Sequence, residues 1–215
     1  MKLYGYFRSS CSYRVRIALH YKNLDFEYIP INLKEGEQRH ASYLKLQAQG
    51  FVPLLVDGQD SVTQSMSIIE YLDEKYEQNP LVFGSAFQKS RIRTLSQILA
   101  CDTQPVQNLR VLKYLKNEMG LSEEKKNQWA HDFIQSGLSS FENTLEAGDS
   151  DFCVGSSLSM ADVCLIPQLF NARRFHVNLA DFKNILRIEK NLMELDCVKK
   201  SIPELQVDCP AELRS

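Results

Sequence analysis

The sequence lacks the cysteine and histidine spacings that mark metal sites and disulfide frameworks. No two cysteines form a CxxC pair, and the histidines form no spaced cluster. The six cysteines are Cys11, Cys101, Cys153, Cys164, Cys197 and Cys209. The four histidines are His20, His40, His131 and His176. These absences argue against a zinc site, a disulfide-stapled fold and a histidine-base mechanism, and we expect most of the cysteines to be small buried side chains.

Long apolar segments and long runs of one charge are also missing. No stretch approaches the roughly 20 apolar residues that a membrane-spanning helix needs, and the opening MKLYGYF reaches Arg8 before a signal-peptide core could form. The formal net charge of −2 gives no general attraction to nucleic acid or to an anionic membrane. We therefore expect a cytoplasmic protein without nucleic-acid or membrane partners, whose affinity for anions comes from local arginines.

The chain does contain enough apolar residues for a substantial core. Hydrophobic residues make up 44% of its 215 residues, which fits one large domain or two small ones. In the first eighty residues we predict strands over 2–7, 25–31, 52–56 and 60–63, helices over 10–22 and 65–76, and a polar helical patch near 38–47. Asp57-Gly58 is a tight-turn dipeptide between the last two strands. The predicted order is βαβ followed by ββα.

Strand patterns disappear after the first eighty residues and long helical patterns replace them. We predict helices over 88–118, 123–147, 159–174 and 187–200. Ser159 and Asp162 have the spacing of a capping box, which we interpret as a folding signal. The sequence thus predicts an α/β domain over 1–80, a linker over 81–87 and an all-helical domain over 88–215.

Two hydroxyls and a thiol, in Ser9-Ser10-Cys11, lie between the first predicted strand and the first predicted helix. The free N–H groups and the dipole at a helix start favour negative charge, so a thiolate would be stabilised there, whether it belongs to Cys11 or to a ligand. The alternative interpretation is that Ser10 simply caps the helix.

Two further features of the first domain can face a ligand. A cis bond between Val52 and Pro53 would direct the Val52 main chain outward, although base rates for X-Pro bonds favour trans. Gln64-Ser65 begins the next helix and provides a second set of N–H groups suited to a carboxylate. Simple capping is the alternative here, and a capping-box pattern over residues 67–70 leaves the helix start open by one turn.

Together these motifs predict a thioredoxin-like first domain with a cradle for a peptide-sized anion. The segment SSCSYRVRIAL, from Ser9, resembles the N-terminal signature of zeta-class glutathione transferases, the class that includes maleylacetoacetate isomerases, and the resemblance covers essentially the whole chain. Further matching segments are residues 30–33, 52–53, 64–65, 68–72, 104–109, 160–162 and 171–175. Tyr13 departs from the usual Trp, and residues 47–50 read Gln-Ala-Gln-Gly where Asn-Pro-Gln-Gly is common.

The resemblance implies a glutathione transferase fold, with glutathione as the cofactor. Ser9, Ser10 and Cys11 would be the catalytic residues around the glutathione sulfur, with Ser10 as the hydroxyl donor. The residues implied in holding the rest of glutathione are Arg14, Gln38, Val52, Gln64, Ser65, Gln104 and Asn108. By the same resemblance, the Val52-Pro53 bond is cis and the Val52 main chain pairs with the cysteinyl unit of glutathione.

A small dianionic substrate is implied as well, and fixed guanidinium groups suit its carboxylates. Arg8, Arg14 and Arg174 are the candidates, and for each the alternative is a solvated or structural ion pair. Cys11 either shapes the sulfur site or is an exposed reactive thiol that turnover does not need.

The implied activity is glutathione-dependent conversion of maleylacetoacetate to fumarylacetoacetate in tyrosine and phenylalanine breakdown, by a homodimer. A thiolate would add to the cis double bond, the adduct would rotate, and elimination would restore glutathione. Alternatives are a transferase acting on α-halo acids, a maleylpyruvate isomerase, and a non-enzymatic adaptor that has kept the fold. A disulfide reductase is disfavoured because the helix start carries a single cysteine.

Overall fold

The computed structural model describes residues 1–146 and 148–214, and the chain divides into two compact units. One unit combines Met1–Leu81 with the segment that starts at Met193, and the other is Val82–Leu192. This division differs from the predicted helical domain over 88–215, because the C-terminal segment packs with the first unit. The far end of that predicted domain, Ser215, lies outside the described residues.

The first unit contains a four-stranded mixed sheet with helices. Its strands are β1 (Lys2–Gly5), β2 (Glu27–Pro30), β3 (Leu54–Asp57) and β4 (Asp60–Thr63), and its helices are α1 (Ser10–Tyr21), α2 (Ala41–Leu44) and α3 (Ser65–Lys75). The strand order is β2-β1-β3-β4, with β1 and β2 parallel and the other two pairs antiparallel. The predicted βαβ-ββα order is therefore confirmed.

The first strand is shorter than the predicted 2–7 for a local reason. The N–H of Tyr6 donates to the Oγ of Ser12 at 3.3 Å, so it points toward the helix that follows. The N–H of Ser9 then donates to the carbonyl of Tyr6 at 3.0 Å. These two bonds turn the chain out of the sheet and into the start of α1.

Helix α1 buries an apolar stripe whose residues recur at helical spacing. Val15, Ala18 and Leu19 are fully buried, and α1 packs against α3 and the C-terminal segment. Lys22, at the same helical spacing, is buried as well, and its Nζ lies 2.9 Å from the carboxylate of Asp73. The ammonium group of Lys22 also donates to two main-chain carbonyls just beyond α3. Because this charge has hydrogen-bond partners and an ion-pair partner, the lysine can be buried within the apolar stripe.

The second unit is helical. It contains α4 (Ala86–Gln97), α5 (Leu109–Asn117), α6 (Glu123–Thr144), α7 (Met160–Arg174) and α8 (Lys183–Leu192). The single helix predicted over 88–118 is interrupted by a π-helical turn (Ile98–Thr103) and a short 3-10 turn (Pro105–Gln107). Pro105 has no N–H to donate to the preceding turn. The helical path ends at Asn108, whose backbone is extended and which caps α5.

Two other predicted helices also end differently in the structure. Residue 147, the predicted end of 123–147, lies outside the described residues, and α6 ends at Thr144. The helix predicted over 187–200 is divided into α8 and a separate short helix α9 (Asp196–Lys199), with the boundary between the two units falling in the gap. Within the described part of the chain, no helix is long and apolar enough to cross a membrane.

The capping box at the start of α7 is confirmed. The buried carboxylate of Asp162 accepts hydrogen bonds from the N–H and the Oγ of Ser159 at 2.8 and 2.6 Å, and from the N–H of Cys153 at 2.8 Å. Burial raises the pKa of Asp162, while these donors favour its charged form. The box fixes the loop before α7 to the helix itself, as expected of a folding signal.

Candidate active site

The start of α1 is capped by Ser9. Its Oγ accepts a hydrogen bond from the N–H of Ser12 at 3.2 Å, and its backbone is extended. Ser10 is the first helical residue and is buried, and the neighbouring Cys11 is half-buried. The interpretation of Ser10 as the cap is wrong, because Ser9 performs that role. The hydroxyl of Ser10 instead lies on the first turn, where free N–H groups favour negative charge.

A buried arginine connects the starts of two helices. Arg14 is only 1% exposed, and its Nη1 lies 3.3 Å from the Oγ of Ser65 on α3 and 3.8 Å from the Sγ of Cys11 on α1. Its Nε and Nη2 are buried and have no hydrogen-bond partner within the described residues. A buried guanidinium normally has its donors satisfied. Arg14 therefore places a fixed positive charge beside the starts of both helices, with two of its donors unsatisfied.

Helix α3 begins at Ser65, one turn before the alternative start that the sequence left open. The residue before it, Gln64, has a left-handed backbone with φ of 68° and ψ of 117°. That conformation is unfavourable for a residue with a side chain and is found mostly at functional sites. The Nε2 of Gln64 donates to the Oε1 of Gln49 at 2.9 Å.

The peptide bond between Val52 and Pro53 is cis, as the family resemblance implied and contrary to the base rate for such bonds. Within residues 1–146 and 148–214, the main chain of Val52 has no hydrogen-bond partner. Val52 is partly buried, so its N–H and C=O are groups that a bound peptide could satisfy.

Gln38 lies on a short 3-10 turn (Glu37–Arg39) beside the loop that precedes Val52. Its main-chain oxygen is so close to Gly50 that a Cβ there would lie 2.6 Å away. Arg39 donates to the carbonyl of Gln49 at 3.2 Å. Gln49 thus connects the 3-10 turn to Gln64. The sequence did not predict this role, although the position of Gln49 three residues before Val52 could have indicated it.

Three predicted site residues belong to the second unit. Gln104 is buried at the end of the π-helical turn, and the Oδ1 of Asn108 caps α5 by accepting from the N–H of Arg110 at 3.1 Å. Arg174 ends α7, is exposed, and lies 4.9 Å above the ring of Phe175.

Arg8 lies in the turn before α1, in the first unit. It is partly exposed, with its guanidinium 5.5 Å from the centre of the Phe7 ring. Ser9, Ser10, Cys11, Arg14 and Ser65 are thus brought together by the structure, and Arg8 is adjacent to them in the chain.

The assembled groups have the chemistry that suits an anion. Two helix starts and one buried guanidinium face the same region, and each favours negative charge. In the described part of the chain, no group of three or more His, Cys, Asp or Glu side chains could hold a metal ion. Hydroxyls, amide groups and guanidinium groups of this kind can bind a carboxylate and stabilise a thiolate.

Comparisons with known proteins identify the family of this chain. The models of the glutathione S-transferase N-terminal and C-terminal domains match residues 3–80 and 106–203. Maleylacetoacetate isomerase of Mus musculus is 42% identical over 216 residues, covering 99% of this chain and 97% of that protein.

Two solved structures are similar over nearly the whole chain. One is the holo form of a maleyl pyruvate isomerase, a bacterial glutathione S-transferase in the zeta class, with a TM-score of 0.94 at 34% identity, covering 98% of this chain and 100% of that chain. The other is maleylacetoacetate isomerase from Methylobacterium extorquens AM1 with bound malonate and GSH, with a TM-score of 0.94 at 35% identity and the same coverage. The chain therefore belongs to the glutathione S-transferase family, in its zeta class.

Proposed function

We propose that this protein is a maleylacetoacetate isomerase that uses glutathione to convert maleylacetoacetate to fumarylacetoacetate. The observation that carries the proposal is the buried Arg14, whose guanidinium places a fixed positive charge between the start of α1 and Ser65. Relatives with that name or activity, similar over nearly the whole chain, supply the substrate class.

Glutathione fits the unsatisfied groups of the first unit. The unpartnered main chain of Val52 suits an extended peptide, and the N–H groups at the start of α3 with Ser65 suit the γ-glutamyl carboxylate. Gln38 and Gln64 border the same region. When bound, glutathione supplies a nucleophilic thiol that is regenerated in each turnover.

The side chains at the start of α1 divide the work on that thiol. The hydroxyl of Ser10 donates a hydrogen bond to the sulfur of glutathione. Together with the helix dipole, this bond favours the thiolate over the thiol. Ser9 is occupied as the helix cap, so its contribution is to fix the turn that presents Ser10. Cys11 contributes the side of the pocket that Arg14 contacts.

Exposed arginines are better suited to the dianionic substrate than the buried one. Arg174 is exposed and Arg8 is partly exposed, and a guanidinium group can bind a carboxylate through two parallel hydrogen bonds. Arg14 is buried and contacts Cys11 and Ser65, so we propose that it orients the glutathione side of the site. Gln104 and Asn108 remain glutathione-binding residues that the family resemblance implies. The malonate bound by the Methylobacterium relative is itself a small dicarboxylate, which supports a substrate of this class.

Isomerisation of maleylpyruvate is a second candidate, because a maleyl pyruvate isomerase is as similar in structure as the maleylacetoacetate enzyme. Both substrates are cis dianions and would use the same arginines. The decisive measurement is glutathione-dependent isomerisation of the two substrates side by side, with an α-halo acid as a third. Retention on immobilised glutathione without turnover of any of them would favour an adaptor.

Ser10→Ala tests the thiolate proposal. We expect kcat to fall by about tenfold or more, equivalent to about 1.4 kcal/mol in the barrier, because one donor to the sulfur is lost. Ser67→Ala, an exposed serine on α3, is the matched control and should keep the wild-type rate. A wild-type kcat in Ser10→Ala would remove that hydroxyl from the mechanism.

We further propose that the protein acts in tyrosine and phenylalanine breakdown, as a homodimer in the cytoplasm. The activity in the relatives' names supports the pathway, and the family resemblance supports the assembly. Light scattering should give about twice the mass of one chain at micromolar concentration, and a monomer mass would contradict the proposed dimer.

A further inference from the structure

Both polar groups of the Phe7 main chain are held by side chains, outside the sheet. Its N–H donates to the Oδ2 of Asp208 at 2.8 Å, and its carbonyl accepts from the Nη2 of Arg16 at 3.0 Å. Phe7 lies directly before Arg8 and Ser9, in the turn that leads into α1. The path of this turn is therefore set by two side chains, one of which comes from the C-terminal segment.

Arg16 connects the turn to the same segment a second time. It is 0% exposed, and its Nε and Nη2 donate to the carbonyl of Ser201 at 3.1 and 2.9 Å. Its guanidinium lies 5.1 Å from the ring centre of Tyr13 and 5.8 Å from that of Tyr28. A buried guanidinium held in this way has little freedom to move, so the carbonyls of Phe7 and Ser201 are fixed relative to each other.

The segment also packs against the loop that carries the cis peptide. Cys209 is buried in one apolar cluster with Tyr6 and Phe7, and the partly buried Val52 and Leu33 pack against that cluster. One short stretch of chain thus contacts the turn before Ser9 and, through this cluster, the loop that presents Val52.

We infer that Asp208 and Arg16 are positioning residues, which hold the turn over residues 6–9 so that Ser9 and Ser10 keep their place at the start of α1. This inference rests on the proposed function for its kinetic consequences only. Its structural consequence, a restrained Phe7 amide, concerns the protein without ligand.

The physical argument depends on how sensitive a hydroxyl donor is to its position. A misplacement of about 1 Å can cost on the order of a hundredfold in rate. Without Asp208 the buried N–H of Phe7 loses its acceptor, and a buried donor left unpaired favours rearrangement of the turn. The bond from Ser9 to the carbonyl of Tyr6 remains, so we expect a shifted turn rather than an unfolded one.

The test compares Asp208→Ala with Asp208→Asn. Both remove the negative charge near Arg16, but only asparagine keeps an oxygen that can accept from Phe7. Hydrogen exchange of the Phe7 amide is measured in the free protein. We expect exchange to be at least about tenfold faster in Asp208→Ala and close to wild type in Asp208→Asn, because protection reflects the retained hydrogen bond. Equal exchange in the wild type and both variants would overturn the inference.

A kinetic readout separates positioning from a general loss of folded protein. In Asp208→Ala we expect kcat to fall about tenfold, and the acid limb of the rate profile to move to higher pH, because a misplaced Ser10 stabilises the thiolate less. The charged and titratable side chains around the turn that the variants leave unchanged are Arg8, Cys11, Tyr13, Arg14, Arg16 and Tyr28. Asp208→Asn controls for the lost charge of Asp208 itself. A loss of folded enzyme would lower the rate equally at every pH and leave the acid limb of the pH–rate profile in place. That result would contradict a positioning role for Asp208.

Two further variants keep the outcome decisive. Glu212→Ala, which removes an exposed carboxylate from the same segment, should leave exchange and rate unchanged. If Asp208→Ala does not fold, Asp208→Glu replaces it, because glutamate keeps the charge but moves the acceptor by one methylene. Faster exchange of the Phe7 amide in Asp208→Glu would support the inference, and wild-type exchange would overturn it. If wild-type enzyme isomerises neither substrate, the proposed function fails, and the exchange of Phe7 still decides the inference.

Discussion

At the scale of single residues, His20 gives the stability of the protein a dependence on pH. It lies in the last turn of α1, with its ring 5.2 Å from that of Phe26. Burial lowers its pKa from 6.5, and the nearby charges of Lys200 and Arg16 lower it further. The folded protein therefore favours neutral His20, whereas the unfolded chain binds a proton near pH 6.5.

Replacing His20 should remove that dependence. Because the folded pKa is depressed, the contribution is fully present above pH 6.5 and is lost as pH falls toward the folded pKa. We expect the Tm of the wild type to decrease more between pH 8 and about pH 5 than the Tm of His20→Gln, which stays neutral throughout. Parallel Tm profiles for the two proteins would contradict the pKa assignment.

Residue roles were predictable from the sequence only in part. Ser9 and Ser10 are adjacent and chemically identical, so the pattern located the helix start but could not tell which serine caps it. The cis bond before Pro53 was expected only through the family resemblance, because local base rates favour trans. The burial of Arg14 runs against the usual exposure of arginine, and it depends on Ser65, which is 51 residues away in the chain.

At the scale of elements, Lys22 and Asp73 form an ion pair that fixes α1 to α3. The lysine side chain is 0% exposed and the aspartate side chain 10% exposed, and Asp73 also accepts from the N–H of Leu81 at 2.8 Å. We expect Lys22→Met to lower the free energy of unfolding by about 3 kcal/mol, because it removes the positive charge that pairs with the mostly buried carboxylate of Asp73.

Denaturant unfolding measures this loss directly. Lys45→Met, at an exposed lysine of the same unit, is the matched control and should stay within about 0.5 kcal/mol of the wild type. A loss below about 1 kcal/mol in Lys22→Met would mean that solvent reaches the pair.

Hydrophobic periodicity predicted correctly which segments are helices and which are strands, but it placed some of their boundaries wrongly. The apolar stripe of α1 and the turn at Asp57-Gly58 follow from local patterns, and the structure confirms both. The break at Pro105 was visible in the sequence as a proline, yet the flanking helical pattern concealed it. The division between α8 and α9 depends on which unit each helix packs in, and no local pattern encodes that.

At the scale of the whole molecule, the first unit is built from both ends of the described chain. Asp208 and Phe7 are hydrogen-bonded although 201 residues separate them, and α9 packs against α1. Sequence analysis placed residue 193 onward in the helical domain because its residues are helical, whereas the partners of those residues lie in the first unit.

A fragment of residues 1–81 should therefore fail to fold on its own. It would leave Arg16 buried without the carbonyl of Ser201 and Phe7 without Asp208, in a domain already small enough to be marginal. We expect no cooperative thermal transition by circular dichroism. The same fragment joined to residues 193–214 through a flexible linker should regain one, and a cooperative transition in the short fragment would contradict the prediction.

The hydrogen bond between Phe7 and Asp208 also sets an order of events during protein synthesis. A ribosome adds about 5–20 residues per second, so the turn before Ser9 waits on the order of ten seconds or more for its partner to be translated. The helical unit is translated in full before then. The first unit is thus translated first but completes its hydrogen bonds last. Premature termination just before codon 208 would release a protein that contains the whole helical unit but lacks the acceptor for the Phe7 N–H in the turn before Ser9.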